Sequence, residues 1–127
     1  MITRRILLIE NENVIRELTQ LCLETEAGWE VLTTASSYEA IVKTETEKLD
    51  VILMDVDAFV CEQDLSVTLQ QLQSNPVTYH IPVILLTTLV NGEISQMVKL
   101  GVRAAIAKPF DLMTLAQQVA EILNWKY

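Results

Sequence analysis

Five polar residues each stand at the end of a short apolar run, and together they suit one kind of chemistry. They are Glu10, Asn11, Asp55, Thr87 and Lys108. An aspartate can accept a phosphoryl group as an aspartyl-phosphate, and carboxylate or amide oxygens can hold the Mg²⁺ that accompanies phosphate. An ammonium and a hydroxyl can contact the phosphoryl oxygens. The set therefore predicts a phosphoryl-transfer site. Asp55 would be the nucleophile, Glu10 and Asn11 would help to hold Mg²⁺, and Lys108 and Thr87 would contact the phosphoryl group.

This chemistry requires the apolar runs to be strands that meet at one edge of a sheet. The runs that precede Glu10, Asp55 and Thr87 are uninterrupted by polar residues, which is typical of strands buried on both faces of a parallel sheet. In open α/β sheets, ligands bind outside the carboxyl ends of the strands, where these polar residues would lie. The predicted strands cover residues 5–9, 29–33, 51–55, 81–87 and 104–107.

Helical patterns separate the predicted strands. Asn11 is a candidate N-cap for the first helix, whose apolar spacing predicts a buried stripe of Val14, Leu18, Leu21 and Cys22. Later helices are predicted at about 37–48, at 64–74 with Asp64 as the cap, at 91–100, and from a cap at Asp111 onward. Five alternations of strand and helix predict one α/β domain over residues 1–127, with a parallel sheet and helices on both faces.

Composition narrows the functional class. The chain has 127 residues and a formal net charge of -8, which argues against direct binding of nucleic acid because phosphate binding needs a basic patch. The only histidine is His80, and Cys22 and Cys61 lack metal-site spacing, so zinc centres and Ser/His or Cys/His catalysis are disfavoured. No signal peptide and no apolar stretch of membrane-spanning length is recognisable, so we expect a soluble cytoplasmic protein without a membrane partner.

The motifs together resemble the receiver domain of bacterial two-component response regulators, the CheY-like family. The resemblance covers essentially the whole chain and rests on four motifs: the acidic end of the first strand at 6–12, Asp55, Thr87, and Lys108-Pro109-Phe110. It implies a doubly wound, flavodoxin-like sheet with strand order 2-1-3-4-5, an order for which the chemotaxis member of this family is a standard example.

The same resemblance implies a function in a phosphorelay. Asp55 would accept a phosphoryl group from a histidine kinase or phosphotransfer protein with Mg²⁺, in a signalling module that is not an enzyme. The modification would switch a protein-interaction surface on the fourth helix, fifth strand and fifth helix. Candidate residues of that surface are Leu89, Val90, Ile94 and Arg103.

The chain departs from the family pattern at two informative positions. Asn11 replaces the second acid of the family's metal site, so we expect weaker Mg²⁺ binding, and Ala105 replaces the aromatic switch residue. Asp57, two residues beyond the acceptor, is a candidate metal ligand in place of the lost carboxylate or a source of repulsion toward incoming phosphate.

Two alternatives follow from these features. Asn11 and Ala105 favour a pseudo-receiver, an interaction module that works without phosphorylation, whereas Asp55, Thr87 and Lys108 oppose it. A nucleotide- or flavin-binding α/β enzyme is disfavoured, because the chain has only three glycines and no glycine-rich loop after the first strand.

Overall fold

The computed structural model describes residues 3–59, 62–88, 91–108 and 110–126, and leaves the side chains of 62, 63 and 91–94 undescribed. Five strands alternate with five α-helices. The strands are β1 (Arg5–Ile9), β2 (Glu30–Thr34), β3 (Val51–Asp55), β4 (Val83–Thr87) and β5 (Ala104–Ala107). The helices are α1 (Asn13–Ala27), α2 (Ser37–Thr46), α3 (Glu62–Ser74), α4 (Asn91–Lys99) and α5 (Leu112–Leu123), and a short 3-10 turn at Val56–Ala58 follows β3.

The strands form one parallel sheet in the order β2-β1-β3-β4-β5. Strands that follow one another along the chain are joined through a helix, because parallel strands need a crossover connection. The chain therefore has the predicted fold class: an α/β, doubly wound sheet of flavodoxin-like strand order.

The core lies on both faces of the sheet. Every residue of β3 and β4 is buried, and side chains alternate between two apolar layers. Leu7, Ile52 and Leu85 pack with α2, α3 and α4, whereas Leu8, Leu53 and Leu86 pack with α1 and α5. Burial of both faces explains why these strands read as continuous apolar runs.

Two predicted helix starts are confirmed by a capping side chain, and two predicted caps are wrong. The Ser36 side chain accepts the amide hydrogen of Glu39 at the start of α2, and Asp111 accepts that of Met113 at the start of α5. At α1 the N-cap position is Glu12, not Asn11, and no side chain caps it. Asp64 does not cap α3 because this helix begins earlier, at Glu62.

The predicted buried stripe of α1 is also wrong, because its largest members face solvent. Val14, Leu18 and Leu21 are 63%, 43% and 56% exposed. The buried side of the helix carries Thr19 and Leu23, and two polar side chains beside them find backbone partners.

The guanidinium of Arg16 donates to the carbonyl oxygen of Glu10 at 3.1 Å, and Nε2 of Gln20 donates to the carbonyl oxygen of Val31 at 3.1 Å. A helix face can thus pack on a sheet with polar residues when their hydrogen bonds are satisfied. Spacing shows which residues share a face, but it does not show which face turns inward.

None of the helices that the structure describes is both long and apolar enough to cross a membrane.

The rotation of α1 can be tested with two leucines of the same helix. Leu23 is fully buried, whereas Leu21 is mostly exposed. We expect Leu23→Ala to lower the free energy of unfolding by about 2–5 kcal/mol, because it leaves a cavity, and Leu21→Ala to change it by less than about 0.5 kcal/mol. Urea denaturation followed by circular dichroism measures both. A cost for Leu21→Ala equal to that for Leu23→Ala would show that α1 is rotated as the apolar spacing suggests.

Candidate functional site

The predicted site residues come together because the parallel strands end at the same edge of the sheet. Asp55 ends β3, and Lys108 follows β5, two strands away across β4. Two strand spacings amount to about 10 Å, so only a long side chain on β5 can reach Asp55. The backbone amide of Lys108 donates to the carbonyl oxygen of Thr87 at 2.8 Å, which fixes the lysine beside the end of β4.

Asp55 is a buried carboxylate with strong hydrogen bonds. Its residue is 2% exposed, and the ammonium of Lys108 lies 2.7 Å from Oδ1 and 2.6 Å from Oδ2. The backbone amide of Asp57 also donates to Oδ1, at 2.8 Å. A buried charge is tolerated when it is paired and hydrogen-bonded in this way, so Asp55 is held as a carboxylate at the floor of the site.

Lys108 contacts a second carboxylate as well. Its ammonium lies 3.1 Å from Oδ2 of Asp57, a side chain that is 68% exposed. Burial lowers the pKa of Lys108, but the hydrogen bonds to Asp55 and Asp57 and their charges outweigh it, so the pKa is raised. Lys108 is therefore a fixed positive charge between the two carboxylates.

Glu10 lies beside Asp55 at the end of β1 and is 4% exposed. Burial raises the pKa of Glu10 to about 7, aided by its hydrogen bond with Asp55 and by the charge of that neighbour. The amide of Glu12, which donates to Oε1 of Glu10 at 3.2 Å, and the charge of Lys108 oppose this rise. A neighbouring carboxylate therefore disfavours the ionised form of Glu10, and a bound cation would favour it.

The donor set fits Mg²⁺, which usually takes one or two carboxylates together with water and phosphate oxygens. Glu10 and Asp55 supply the two carboxylates. Within the described ranges, no three acidic, histidine or cysteine side chains come close enough to form a metal centre by themselves. Asn11 is exposed next to Glu10, where its amide can add an uncharged oxygen.

Thr87 is 1% exposed at the end of β4, between Asp55 and Lys108 in the order of the sheet. Ala105 is partly buried on β5 and packs against the layer that holds α3 and α4. Of the predicted interaction surface, Arg103 is exposed just before β5. Leu89 and Val90, like Pro109 of the Lys-Pro-Phe motif, lie outside the described residues, as does the side chain of Ile94.

The site opens into a cleft of about 350 Å³. Glu10, Asp55 and Lys108 form its polar floor, and apolar side chains form a wall. The wall consists of Ile15, Phe110 and Leu112. Sequence reasoning missed Ile15, which lies outside the predicted apolar stripe of the first helix, and Leu112, which fits an ordinary apolar helix face. The signal available in the sequence was that both residues follow closely after a predicted strand.

The raised pKa of Glu10 predicts a pH dependence of stability. Between its ordinary value of 4.5 and its folded value of about 7, the folded state holds a proton that the unfolded state has lost. The contribution of Glu10 is therefore complete below about pH 4.5 and disappears as the pH rises through 7. Without divalent metal, we expect the unfolding free energy to fall over this range by on the order of 2 kcal/mol from this group.

Glu10→Gln is the matched control for this loss, since it cannot titrate. The difference in unfolding free energy between wild type and Glu10→Gln, measured by urea denaturation in EDTA at pH 5 and pH 8, isolates the contribution of Glu10. The raised pKa of Lys108 affects stability only at much higher pH. If the unfolding free energy changed equally between pH 5 and pH 8 in the two proteins, this would contradict a protonated Glu10 in the folded state.

Comparison with known proteins identifies the family of the chain. The family model described as "Response regulator receiver domain" matches residues 6–120. The chain is 30% identical over 123 residues to the alkaline phosphatase synthesis transcriptional regulatory protein PhoP of Bacillus subtilis, covering 95% of this chain and 49% of PhoP. The chain spans about half the length of the curated relatives it matches.

Solved structures with the same fold cover almost the whole chain. The chemotaxis response regulator CheY4 of Vibrio cholerae is similar with a TM-score of 0.84 and 25% identity, over 95% of this chain and 99% of CheY4. A signal receiver domain of a histidine kinase from Syntrophus aciditrophicus is similar with a TM-score of 0.79 and 28% identity, over 96% and 91%. The family match, the sheet order and the strand-end residues agree, and the chain therefore belongs to the response regulator receiver domain family of two-component signalling.

Proposed function

We propose that this chain is a working phosphorelay receiver in which Asp55 accepts the phosphoryl group. The observation that carries the proposal is the contact of the Lys108 ammonium with both oxygens of Asp55, at 2.7 and 2.6 Å. The aspartate is buried at a strand end and faces a cleft that holds a second carboxyl group. A purely structural aspartate would not need such a cleft.

The residues of the chain divide the chemistry between them. An oxygen of Asp55 forms the new bond to phosphorus while the bond from phosphorus to the donor's nitrogen or oxygen breaks, and the donor leaves with the electron pair. Lys108 stabilises charge on the phosphoryl oxygens, and its second contact, with Asp57, helps to hold the ammonium beside Asp55. We assign Thr87 to a phosphoryl oxygen. Glu10, Asp55 and Asn11, with Asp57 nearby, would hold Mg²⁺, which would supply positive charge that offsets the carboxylates and the phosphate.

We propose that the partners are a histidine kinase or phosphotransfer protein as donor and a downstream protein that reads the phosphorylated state. The apolar wall of Ile15, Phe110 and Leu112 supports a protein donor, because it adjoins the exposed residues Val14 and Leu18 of α1. The downstream partner is assigned to the α4–β5–α5 surface, of which Arg103 is an exposed member. We place this work in the cytoplasm, in a signalling module and not an enzyme, with residues 1–127 acting as one domain.

The pseudo-receiver is the second candidate, and two observations favour it. Asn11 brings no charge to the metal site, and Ala105 offers no aromatic ring to couple the site to the surface. In that case the Lys108–Asp55 pair would be a permanent structural contact.

Treatment with acetyl phosphate and Mg²⁺ separates the two functions. We expect wild-type protein to gain the mass of one phosphoryl group, because Asp55 is paired with Lys108 beside a metal site, and Asp55→Asn to gain none. Asp57→Asn is the matched control, since it removes the neighbouring carboxylate and keeps the acceptor. Intact-protein mass spectrometry measures the adduct, and NMR of the beryllofluoride complex maps its place. If the wild-type protein gained no mass under any condition, the pseudo-receiver would be established. If the adduct were lost only in Asp57→Asn, the phosphoryl acceptor would be Asp57 and not Asp55.

The weakened metal site gives a separate prediction. We expect Asn11→Asp to tighten the Kd for Mg²⁺ by about tenfold, equivalent to about 1.4 kcal/mol, because a third carboxylate joins the site. Isothermal titration calorimetry with MgCl₂ measures the change. Asp57→Asn tests the other candidate ligand: weaker binding supports its role at the metal, and unchanged or tighter binding removes it from the ligand set. Equal affinity of wild type and Asn11→Asp would refute the weakened site.

A further inference from the structure

A groove between α2 and α3 carries exposed apolar residues that the phosphorelay function does not use. Tyr38 and Val42 of α2 and Val67 of α3 are 79%, 47% and 45% exposed. They line one pocket of about 350 Å³ together with Ile41. We call these four residues the α2–α3 patch.

The exposure follows from how α2 packs. Its buried residues are the small side chains Ala40 and Thr44, so the helix lies close to its neighbours and turns its larger apolar residues outward. Exposed apolar residues that share a patch rimmed by polar groups are typical of interaction sites.

A second pocket of about 350 Å³ continues the groove. It shares Ile41 and Gln71 with the first and lies about one helical turn, ~6 Å, further along both helices. The groove therefore has room for two side chains one turn apart, which positions i and i+4 of a helix supply.

Three threonine hydroxyl groups along the groove are already bonded within the chain. Thr44, Thr68 and Thr78 donate to the backbone oxygens of Ile41, Asp64 and Leu72, at 2.7, 2.9 and 2.7 Å. What remains for a partner is the apolar surface and the charge of the lining residues.

That charge is negative. Asp64 lines the first pocket and Glu45 the second, and no lysine or arginine lines either pocket among the described residues. Neither carboxylate belongs to an ion pair within the described part of the chain. A basic partner complements this surface. A second copy of a chain with net charge -8 and an anionic membrane surface are both repelled by it.

We propose that the α2–α3 patch is a second docking surface, distinct from the cleft and from α1. Its partner is a helical segment of another protein with aliphatic residues at i and i+4 and lysine or arginine beside them. The aliphatic side chains fill the two pockets, and the basic residues pair with Asp64 and Glu45.

The test uses the full chain and a synthetic helical peptide of leucine and lysine, with leucines at i and i+4. We expect the peptide to shift the amide signals of α2 and α3 in ¹⁵N-labelled protein, and a peptide with glutamate in place of lysine to shift none. The double variant Asp64→Lys with Glu45→Lys should weaken binding at least about tenfold, since each reversal replaces attraction by repulsion.

The matched control is the pair Glu17→Lys and Glu24→Lys, which makes the same charge change on the exposed side of α1. This control should change the Kd of the peptide by less than about twofold. Tyr38→Ser with Val42→Ser, which keeps every charge, should also abolish binding and guards against loss through misfolding of the charge variant. Circular dichroism and phosphorylation of Asp55 should be unchanged in each variant.

Three results would overturn the proposal. Shifts on α1, or shifts scattered over the acidic surface, would place the peptide elsewhere. Equal binding of the glutamate peptide would refute the charge argument. A dimer in analytical ultracentrifugation that Tyr38→Ser with Val42→Ser converts to monomer would show that a second copy covers the patch.

Discussion

The pairing of Lys108 with Asp55 is the interaction on which the site depends. A carboxylate that is 2% exposed cannot stay charged in the interior without a partner, because its desolvation costs several kcal/mol. Glu10 beside it adds a second carboxyl group, whose pKa rises to about 7. The lysine therefore balances a concentration of negative charge that burial has made unfavourable. A divalent cation would add positive charge to this balance. A phosphoryl group would change the contacts of Lys108.

The sheet makes this balance possible by bringing distant parts of the chain to one edge. β3 and β5 are separated by β4, so the lysine must extend across a neighbouring strand end, where Thr87 lies. Asp55 at the end of β3 therefore contacts side chains that follow two other strands, Glu10 after β1 and Lys108 after β5.

Apolar residues are placed differently in the helices and in the strands. α1 rests on the sheet through a face that includes Arg16 and Gln20, whose hydrogen bonds to backbone oxygens are satisfied, and Leu18 and Leu21 remain available at the surface. α2 likewise packs through Ala40 and Thr44. Outward apolar residues on two separate helices suit a module whose purpose is to be recognised by other proteins.

The amino-acid sequence by itself determined the number and order of the elements, because strands buried on both faces must be apolar throughout and the capping residues Ser36 and Asp111 act locally. It also indicated the strand-end residues Asp55 and Lys108, since parallel strands share an edge. The rotation of α1 and the start of α3 were decided only by the tertiary structure. Helical spacing defines a face, but the satisfaction of polar groups such as Arg16 by another segment decides which face turns inward. The protonation of Glu10 likewise depends on burial and on Asp55, which only the folded chain provides.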